Sequence, residues 1–180
     1  AEGEVAELET RGNFELADFT VALFLKTSSP SSQAVLEKRV ICNYSDFWSI
    51  RITNDPAHAG QVVVELDNQS DPGVSGYVLL YSQAPVNDGQ FHHIAVTRQG
   101  KTAKLYIDGQ LNDTKTSANI IRLHNTAPLV LGSSVCDNID STQPFQGQLD
   151  EITIFDHAIG AMDIAQLSAA PLGQCYSTRI

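Results

Sequence analysis

The sequence predicts an all-β fold, a two-sheet antiparallel β-sandwich with one short C-terminal helix. Apolar and polar residues alternate along several segments, as at Phe19, Val21, Leu23 and Leu25, and a period of two is that of a strand with one buried face. Clusters of Gly, Pro, Asn, Asp and Ser separate these segments. The 180 residues are enough for one sandwich domain with a sizeable core.

The strands follow one another along the chain with short turns between them. Asp108 and Gly109 end one strand in a hairpin turn, and residues 55–60 form another turn. Segments with the strand pattern are 19–25, 34–41, 47–53, 62–66, 76–82, 91–98, 103–108, 118–123, 128–132 and 148–156.

The helix is predicted over 159–167, where Ile159, Met162, Ile164 and Leu167 form one apolar face, and we expect it to plug an end of the sandwich. Residues 1–170 then form the sandwich domain, with 171–180 as a C-terminal tail.

Composition excludes several classes of protein. Hydrophobic residues make up 42% and charged residues 18%, which is typical of a globular chain, and no apolar run has the length of a membrane-spanning helix. The net charge of -10 repels phosphate and anionic lipid, so we expect neither nucleic acid binding nor membrane insertion. The chain begins with Ala1 and shows no signal peptide, and we interpret it as a segment of a larger protein.

The second half carries the most specific motifs, each a strand bounded by a turn: 88–96 (DGQFHHIAV), 104–109 (KLYIDG), 129–132 (LVLG) and 145–152 (FQGQLDEI). In this order they resemble the laminin G-like branch of the concanavalin A-like lectin-glucanase jelly rolls, relatives of the pentraxins, over roughly residues 15–168. The resemblance implies a jelly-roll sandwich. It also implies an extracellular recognition module, secreted or on the cell surface, that binds carbohydrate or acts in adhesion without a reaction of its own.

The resemblance also implies a calcium site at the rim of the sandwich. Laminin G-like domains bind calcium through an Asp at the end of one strand and an Asn ahead of another, and the matching positions are Asp67 and Asn125, with the carbonyl of Leu123 between them. The alternative is that Asp67 and Asn125 only begin turns.

Pentraxins place calcium elsewhere, in loops that match 43–46 and 135–140 here. Each of these regions lies beside or contains a cysteine, so the resemblance implies a disulfide between Cys42 and Cys136 in place of the metal, with Cys175 unpaired. Such a bond would also imply an oxidising compartment.

Asp150 is a further candidate metal ligand. It alternates with Ile152 and Ile154, which places its carboxylate on the core side of a predicted strand. A buried charge needs a partner, so Asp150 should meet either a structural calcium ion or backbone N–H groups of a turn.

Sugar contacts are expected in the loop rim formed by 43–46, 67–77 and 133–143, which is polar and rich in Asp and Asn. Trp48 alternates in phase with Ile50 and Ile52 and is predicted to lie in the core rather than under a sugar ring. The candidate ligand-binding residues are Asp46, Asp137 and Asp140 for hydrogen bonds to hydroxyl groups and Tyr44 and Tyr77 for stacking.

His92 and His93 suggest a metal site at first sight, because imidazole is a common zinc ligand. Adjacent residues of a strand point to opposite faces, however, so the two rings cannot bind one ion together. We therefore expect both to serve packing or hydrogen bonding.

Two other functions stay open. Several glycoside hydrolases share this architecture, and Glu65 and Asp67 lie on one face of a predicted strand as a retaining pair of carboxyl groups would. The third acid that one such family places after this pair is absent, with Asn68 and Gln69 in its place, which argues against catalysis. Arg51 on the facing strand offers Glu65 a simple charge pair instead. The last alternative is a structural spacer that docks other proteins.

Overall fold

The computed structural model describes residues 6–8, 18–42, 46–68, 76–121, 123, 125–137 and 142–170. These residues form two sheets that pack face to face and one helix, which confirms the predicted all-β sandwich. The C-terminal tail after 170, Cys175, Tyr44 and Asp140 lie outside the described residues. No described helix has the length and apolar character needed to cross a membrane.

The seven-stranded sheet consists of β1 Ala6–Leu8, β3 Gln33–Lys38, β4 Phe47–Ile52, β5 Val62–Asp67, β6 Tyr77–Tyr81, β10 Leu129–Leu131 and β11 Gln143–Pro144. Its order is β1-β10-β3-β4-β5-β6, and the short β11 pairs with β3 in parallel. The other pairings are antiparallel.

The five-stranded sheet consists of β2 Phe19–Lys26, β7 Phe91–Gln99, β8 Thr102–Ile107, β9 Gln110–Thr116 and β12 Gln148–Phe155. Its order is β12-β2-β7-β8-β9, and all pairings are antiparallel. The longest pairing joins β2 to β7, from Phe19 opposite Arg98 to Lys26 opposite Phe91.

The core lies between the two sheets and is built from the alternating residues that the sequence marks. Leu23 and Leu25 of β2 and Leu66 and Leu80 of the facing sheet are completely buried. Trp48 is only 4% exposed and packs 5.6 Å from Phe19 between ring centroids, which confirms the prediction of a core tryptophan.

One predicted strand is wrong. The described residues among 118–123 form no strand, although Ile121 and Leu123 are buried in the core. β8 pairs on one side with β7 and on the other with the polar β9, which begins directly after Asp108 and Gly109. Both turn residues have positive φ, 50° and 77°, the conformation of a two-residue hairpin turn that fixes where the next strand starts.

The expected position of Asp150 is also wrong. The register of β12 against β2 shifts between Asp150 and Thr153, and Glu151 within this bulge has φ 48°. Leu149 and Ile152 both pack on the core, so the extra residue turns Asp150 to the outer face of the sheet. There its Oδ1 accepts a hydrogen bond from the backbone N–H of Glu151, at 2.8 Å.

The helix α1 spans Ala161–Ser168, close to the predicted segment. It does not plug an end of the sandwich, because Ile164 packs on Ala22, Ala95 and Tyr106 of the outer face of the five-stranded sheet. Met162, expected on the apolar face, is 81% exposed.

Candidate functional site

The outer face of the seven-stranded sheet carries a charged pair near its centre. Nη2 of Arg51 on β4 lies 2.6 Å from Oε2 of Glu65 on β5. The pairing predicted from the sequence is confirmed, and both side chains keep contact with solvent, at 26% and 19% exposure. Nε of Arg51 is buried and donates no hydrogen bond within the described residues. A ligand beside this pair therefore meets both a donor and an acceptor of hydrogen bonds.

Tyr77 extends this array across the next strand. Its hydroxyl lies 3.4 Å from Oε1 of Glu65, and the residue is 45% exposed at the start of β6. Burial of the phenol, followed by the charge of Glu65, raises the pKa of Tyr77 to about 12, so the hydroxyl stays protonated and donates to the carboxylate. The predicted stacking residue thus lies beside Glu65 on the sheet face.

A polar groove opens at one end of this face, where β4 ends and β5 begins; we call it the front groove. Its volume is about 430 Å³, within the range of small-molecule sites. The turn after β4 is held locally, because the hydroxyl of Ser32 donates to Oδ1 of Asn54 at 2.7 Å and accepts the N–H of Asn54 at 2.9 Å. The polar residues that line it are Ser32, Arg51, Thr53, Asn54, Asp55 and Thr142.

The sequence does not indicate the front groove. The groove lies at the opposite end of the sheet from the rim segments 43–46 and 67–77, because Asp46, Asp67 and Tyr77 stand where β4 begins, β5 ends and β6 begins. Thr142, from the third rim segment 133–143, lines the groove. The predicted turn at 55–60 was the available signal, but nothing in the sequence shows that Ser32 and Thr142 meet this turn.

A disulfide joins Cys42 to Cys136, with Cα atoms 5.1 Å apart, as the resemblance to pentraxins implies. Nη1 of Arg39 lies 2.9 Å from Sγ of Cys136, and the guanidinium stacks 3.3 Å from the ring centroid of Phe47. The bond that the resemblance implies therefore anchors the second loop on the outer face of the sheet.

The side chain of Asp137 organises its own loop. Its Oδ2 accepts hydrogen bonds from the hydroxyl of Ser133 at 2.6 Å and from the N–H of Ser134 at 3.1 Å. Its Oδ1 is buried and accepts none from the described residues. The hydroxyl of Ser134 in turn donates to the buried Glu37, whose pKa is raised by burial against the opposing pull of that bond and of Arg39. A role of Asp137 in sugar binding stays a prediction.

Of the proposed laminin G-type calcium ligands, Asn125 has its side-chain amide engaged by the backbone. Asn125 donates through Nδ2 to the carbonyl oxygens of Lys38 and Asp46, and its Oδ1 accepts the N–H of Ala127 at 3.0 Å. Turning the amide round would point its oxygen at two carbonyl oxygens and leave that N–H unpaired. Asn125 thus joins the ends of β3 and β4, and a calcium site at Asp67, Leu123 and Asn125 stays a prediction.

A side-chain cation already lies in this region. The ammonium of Lys38, 1% exposed, donates to the carbonyl oxygens of Ala127 at 2.5 Å and Asn125 at 3.1 Å. Burial lowers the pKa of Lys38. Among the described residues, no three His, Cys, Asp or Glu side chains come together as a metal site would require.

The acids considered for hydrolysis differ sharply in access. Glu65 and Asp67 share one face of β5, as predicted, but Asp67 is only 4% exposed and Glu65 is paired with Arg51. Retaining hydrolysis needs two carboxyl groups about 5 Å apart that both reach the scissile bond. This arrangement favours structural and binding roles for the two acids.

The histidines lie as predicted, on opposite faces of β7. His92 is held between Asp88 and Asp108, whereas His93 is 2% exposed and packs 4.9 Å from the ring of Phe24.

Comparison with known proteins identifies the class. A family model described as the concanavalin A-like lectin/glucanases superfamily, in its laminin G form, matches residues 2–165. The chain belongs to this laminin G-like family of β-sandwiches.

Sequence relatives place such a domain within much longer chains. The chain is 26% identical over 103 residues to the rat protein named sushi, von Willebrand factor type A, EGF and pentraxin domain-containing protein 1, and 27% identical to its mouse counterpart. The match covers 54% of this chain and only 3% of each relative.

Solved structures share the fold at low identity. A pentraxin from Limulus polyphemus superposes with a TM-score of 0.60 and 13% identity over 86% of this chain and 70% of its own. The binding domain of botulinum neurotoxin serotype D gives 0.69 and 16% over 93% and 40%. A putative carbohydrate binding protein from Bacteroides ovatus gives 0.65 and 12% over 90% and 43%. These neighbours are binding-type domains.

Proposed function

We propose that this domain is a non-catalytic recognition module that binds carbohydrate on the outer face of the seven-stranded sheet. The observation that carries the proposal is the half-buried but solvent-accessible pair of Arg51 and Glu65 at the side of the front groove. Neighbouring hydroxyl groups of a pyranose can donate to the Glu65 carboxylate and accept from the Arg51 guanidinium at the same time. Membership in a family of lectins and glucanases supports this class of ligand.

The parent protein is proposed to be extracellular and longer than this chain. The disulfide between Cys42 and Cys136 is typical of oxidising compartments. The matched rat and mouse proteins are named for several further domain types. An extracellular glycan, or the glycan on a protein ligand, is the corresponding partner.

The experiment is a glycan array followed by calorimetry with the best neutral oligosaccharide, using wild type, E65Q and R51M. We expect each substitution to weaken binding at least ten-fold, because each removes one side of the donor and acceptor pair. E151Q, on the other sheet, is the matched control and should bind as wild type does. Circular dichroism of each variant verifies the fold.

Two additions to the same assay test the alternatives. Calcium binding stays a prediction, and adding a chelator to the assay tests whether glycan binding depends on it. We expect the neutral oligosaccharide to bind equally with and without the chelator. Incubation with a polysaccharide panel tests hydrolysis. Product formation that E65Q abolishes would show that the domain is a hydrolase, contrary to the proposal. Absence of any glycan binding would favour the alternative of a structural spacer.

A further inference from the structure

A second groove lies on the opposite side of the molecule, between the outer face of the five-stranded sheet and the segment before α1. We call it the back groove. Its volume is about 420 Å³, and its polar lining comes from Thr97, Gln99, Thr102, Lys104 and Tyr106, with residues 158–161 as the other wall. It shares no residue with the front groove.

The charge of the back groove is opposite to that of the chain. Acidic residues outnumber Lys and Arg by 21 to 11 in the whole sequence. Within the described part of the chain, the lining of the back groove contains no carboxylate and one cation, Lys104. The front groove differs, because Asp55 lines it and its cation Arg51 is paired with Glu65.

The ammonium of Lys104 has no protein partner among the described residues, whereas other exposed lysines of the chain have one. Lys115 pairs with Asp113 at 3.6 Å, Lys101 donates to the carbonyl of Ala118 at 2.7 Å, and Lys26 lies 5.5 Å from the ring centroid of Phe91. Within the ranges that the structure describes, Lys104 forms no ion pair, hydrogen bond or ring contact of this kind.

Tyr106 supplies a second, independent indication of a ligand. The residue is only 4% exposed, its ring packs with Ile164, and it lines the groove. Its hydroxyl makes no hydrogen bond with the described residues and is not among their fully enclosed polar atoms. Burial raises the pKa of Tyr106, so the hydroxyl remains a donor.

We propose that the back groove binds a carboxylate-bearing sugar residue of an acidic glycan, with Lys104 pairing the carboxylate and Tyr106 donating to a ring substituent. The hydroxyl groups of Thr97 and Thr102 and the amide of Gln99 lie on the same sheet face, since Thr97 is opposite Lys104 and Gln99 is opposite Thr102. They provide the neutral hydrogen bonds that a sugar ring requires.

The test uses two ligands that differ only at carbon 6, methyl β-glucuronide and methyl β-glucoside. Each is titrated into the uniformly ¹⁵N-labelled chain while amide resonances of β7 and β8 are followed. We expect the glucuronide to shift resonances of 97–104 in a saturable way and to bind at least ten-fold more tightly than the glucoside.

Three variants assign the roles. K104M should remove the preference for the glucuronide, and Y106F should weaken both ligands about three-fold or more while the ring packing is kept. K101M changes the net charge equally at a lysine outside the groove and should retain the preference. Thermal unfolding of each variant checks that the fold is intact.

The outcomes separate this proposal from the first one. R51M should weaken binding of the neutral oligosaccharide on the front groove at least ten-fold and leave glucuronide binding unchanged. The back-groove proposal fails if no saturable shift occurs, if both ligands bind equally, or if K104M binds like wild type. None of these results bears on glycan binding at the front groove.

Discussion

Nδ1 of His92 lies 2.8 Å from Oδ2 of Asp108, and the other oxygen of the same carboxylate accepts the backbone N–H of His93 at 2.8 Å. One aspartate thus holds two consecutive residues of β7 that face in opposite directions. Burial lowers the pKa of His92, but the hydrogen bonds and charges of Asp108 and Asp88 outweigh it, and the net shift is upward. Burial lowers the pKa of His93 to about 4, against the weaker opposing charge of Asp108.

The two histidines should therefore give opposite dependences of stability on pH. His93 is held neutral, so below its unfolded pKa of about 6.5 the unfolded chain takes up a proton that the folded chain excludes. The free energy of unfolding should fall as the pH drops from about 6.5 to about 4, by about 3 kcal/mol at most. H93F should remove this loss, as measured by urea unfolding at several pH values.

The neighbouring variant H92N provides the comparison. The contribution of His92 is present below about pH 6.5 and is lost as the pH rises through its raised folded pKa. H92N should therefore lower stability at acid pH and have little effect at alkaline pH. Equal pH profiles for H93F and wild type would contradict the assignment of His93 as a buried neutral group.

We expect the hydrogen bonds of the buried Lys38 ammonium to contribute strongly to the free energy of unfolding. K38M keeps most of the side-chain volume but leaves the buried carbonyls of Asn125 and Ala127 without their donor. We expect a loss of about 2 to 4 kcal/mol in the free energy of unfolding. K101M is the matched control, because Lys101 donates to a backbone carbonyl at an exposed site, and it should cost less than about 1 kcal/mol. Comparable losses for the two variants would show that burial of the Lys38 contact is unimportant.

Side chains of β9 and of Ser117, which directly follows it, protect the edge strand β6. The backbone N–H of Tyr77 donates to the hydroxyl of Ser117 at 3.1 Å, and that of Tyr81 donates to Oδ2 of Asp113 at 3.2 Å. An edge with unpaired N–H groups invites pairing with another chain. The double variant D113A/S117A should form dimers or larger species in concentration-dependent light scattering. T116A, which loses only the exposed contact with Thr102, should stay like wild type.

The strands were predictable where burial alone decides their pattern. In β2 and β5 the alternating residues face a core that any two-layer sandwich must have, so the period of two reveals both the strand and its buried face. β9 lacks this signal because seven polar or half-exposed residues form an edge. The position of β9 follows from the hairpin turn at Asp108 and Gly109. Ile121 and Leu123 produce a strand-like pattern in the sequence because both are buried, although they form no strand.

The candidate site was less predictable because it depends on contacts between distant segments. The sequence predicts the pairing of Arg51 with Glu65, because both residues lie on strands that are neighbours in a hairpin. The front groove requires Thr142 to meet the turn at 53–56, and the back groove requires residues 158–161 to cross β7 and β8. Lys38 is charged and yet points into the protein, which its residue type does not predict. Its direction is explained by the hydrogen bonds from its ammonium to the carbonyl oxygens of Asn125 and Ala127.

The bulge in β12 gives a last prediction. Glu151 has φ 48°, a conformation that costs a residue with a side chain about 1 kcal/mol and that glycine adopts readily. E151G should therefore raise the free energy of unfolding by about 0.5 to 1 kcal/mol, measured by urea unfolding. Q148G, in the same strand without positive φ, should instead destabilise the domain by a similar amount, because glycine weakens a regular strand. Destabilisation by both variants would mean that the side chain of Glu151 stabilises β12 by more than its positive φ costs, and the expected gain from glycine would be wrong.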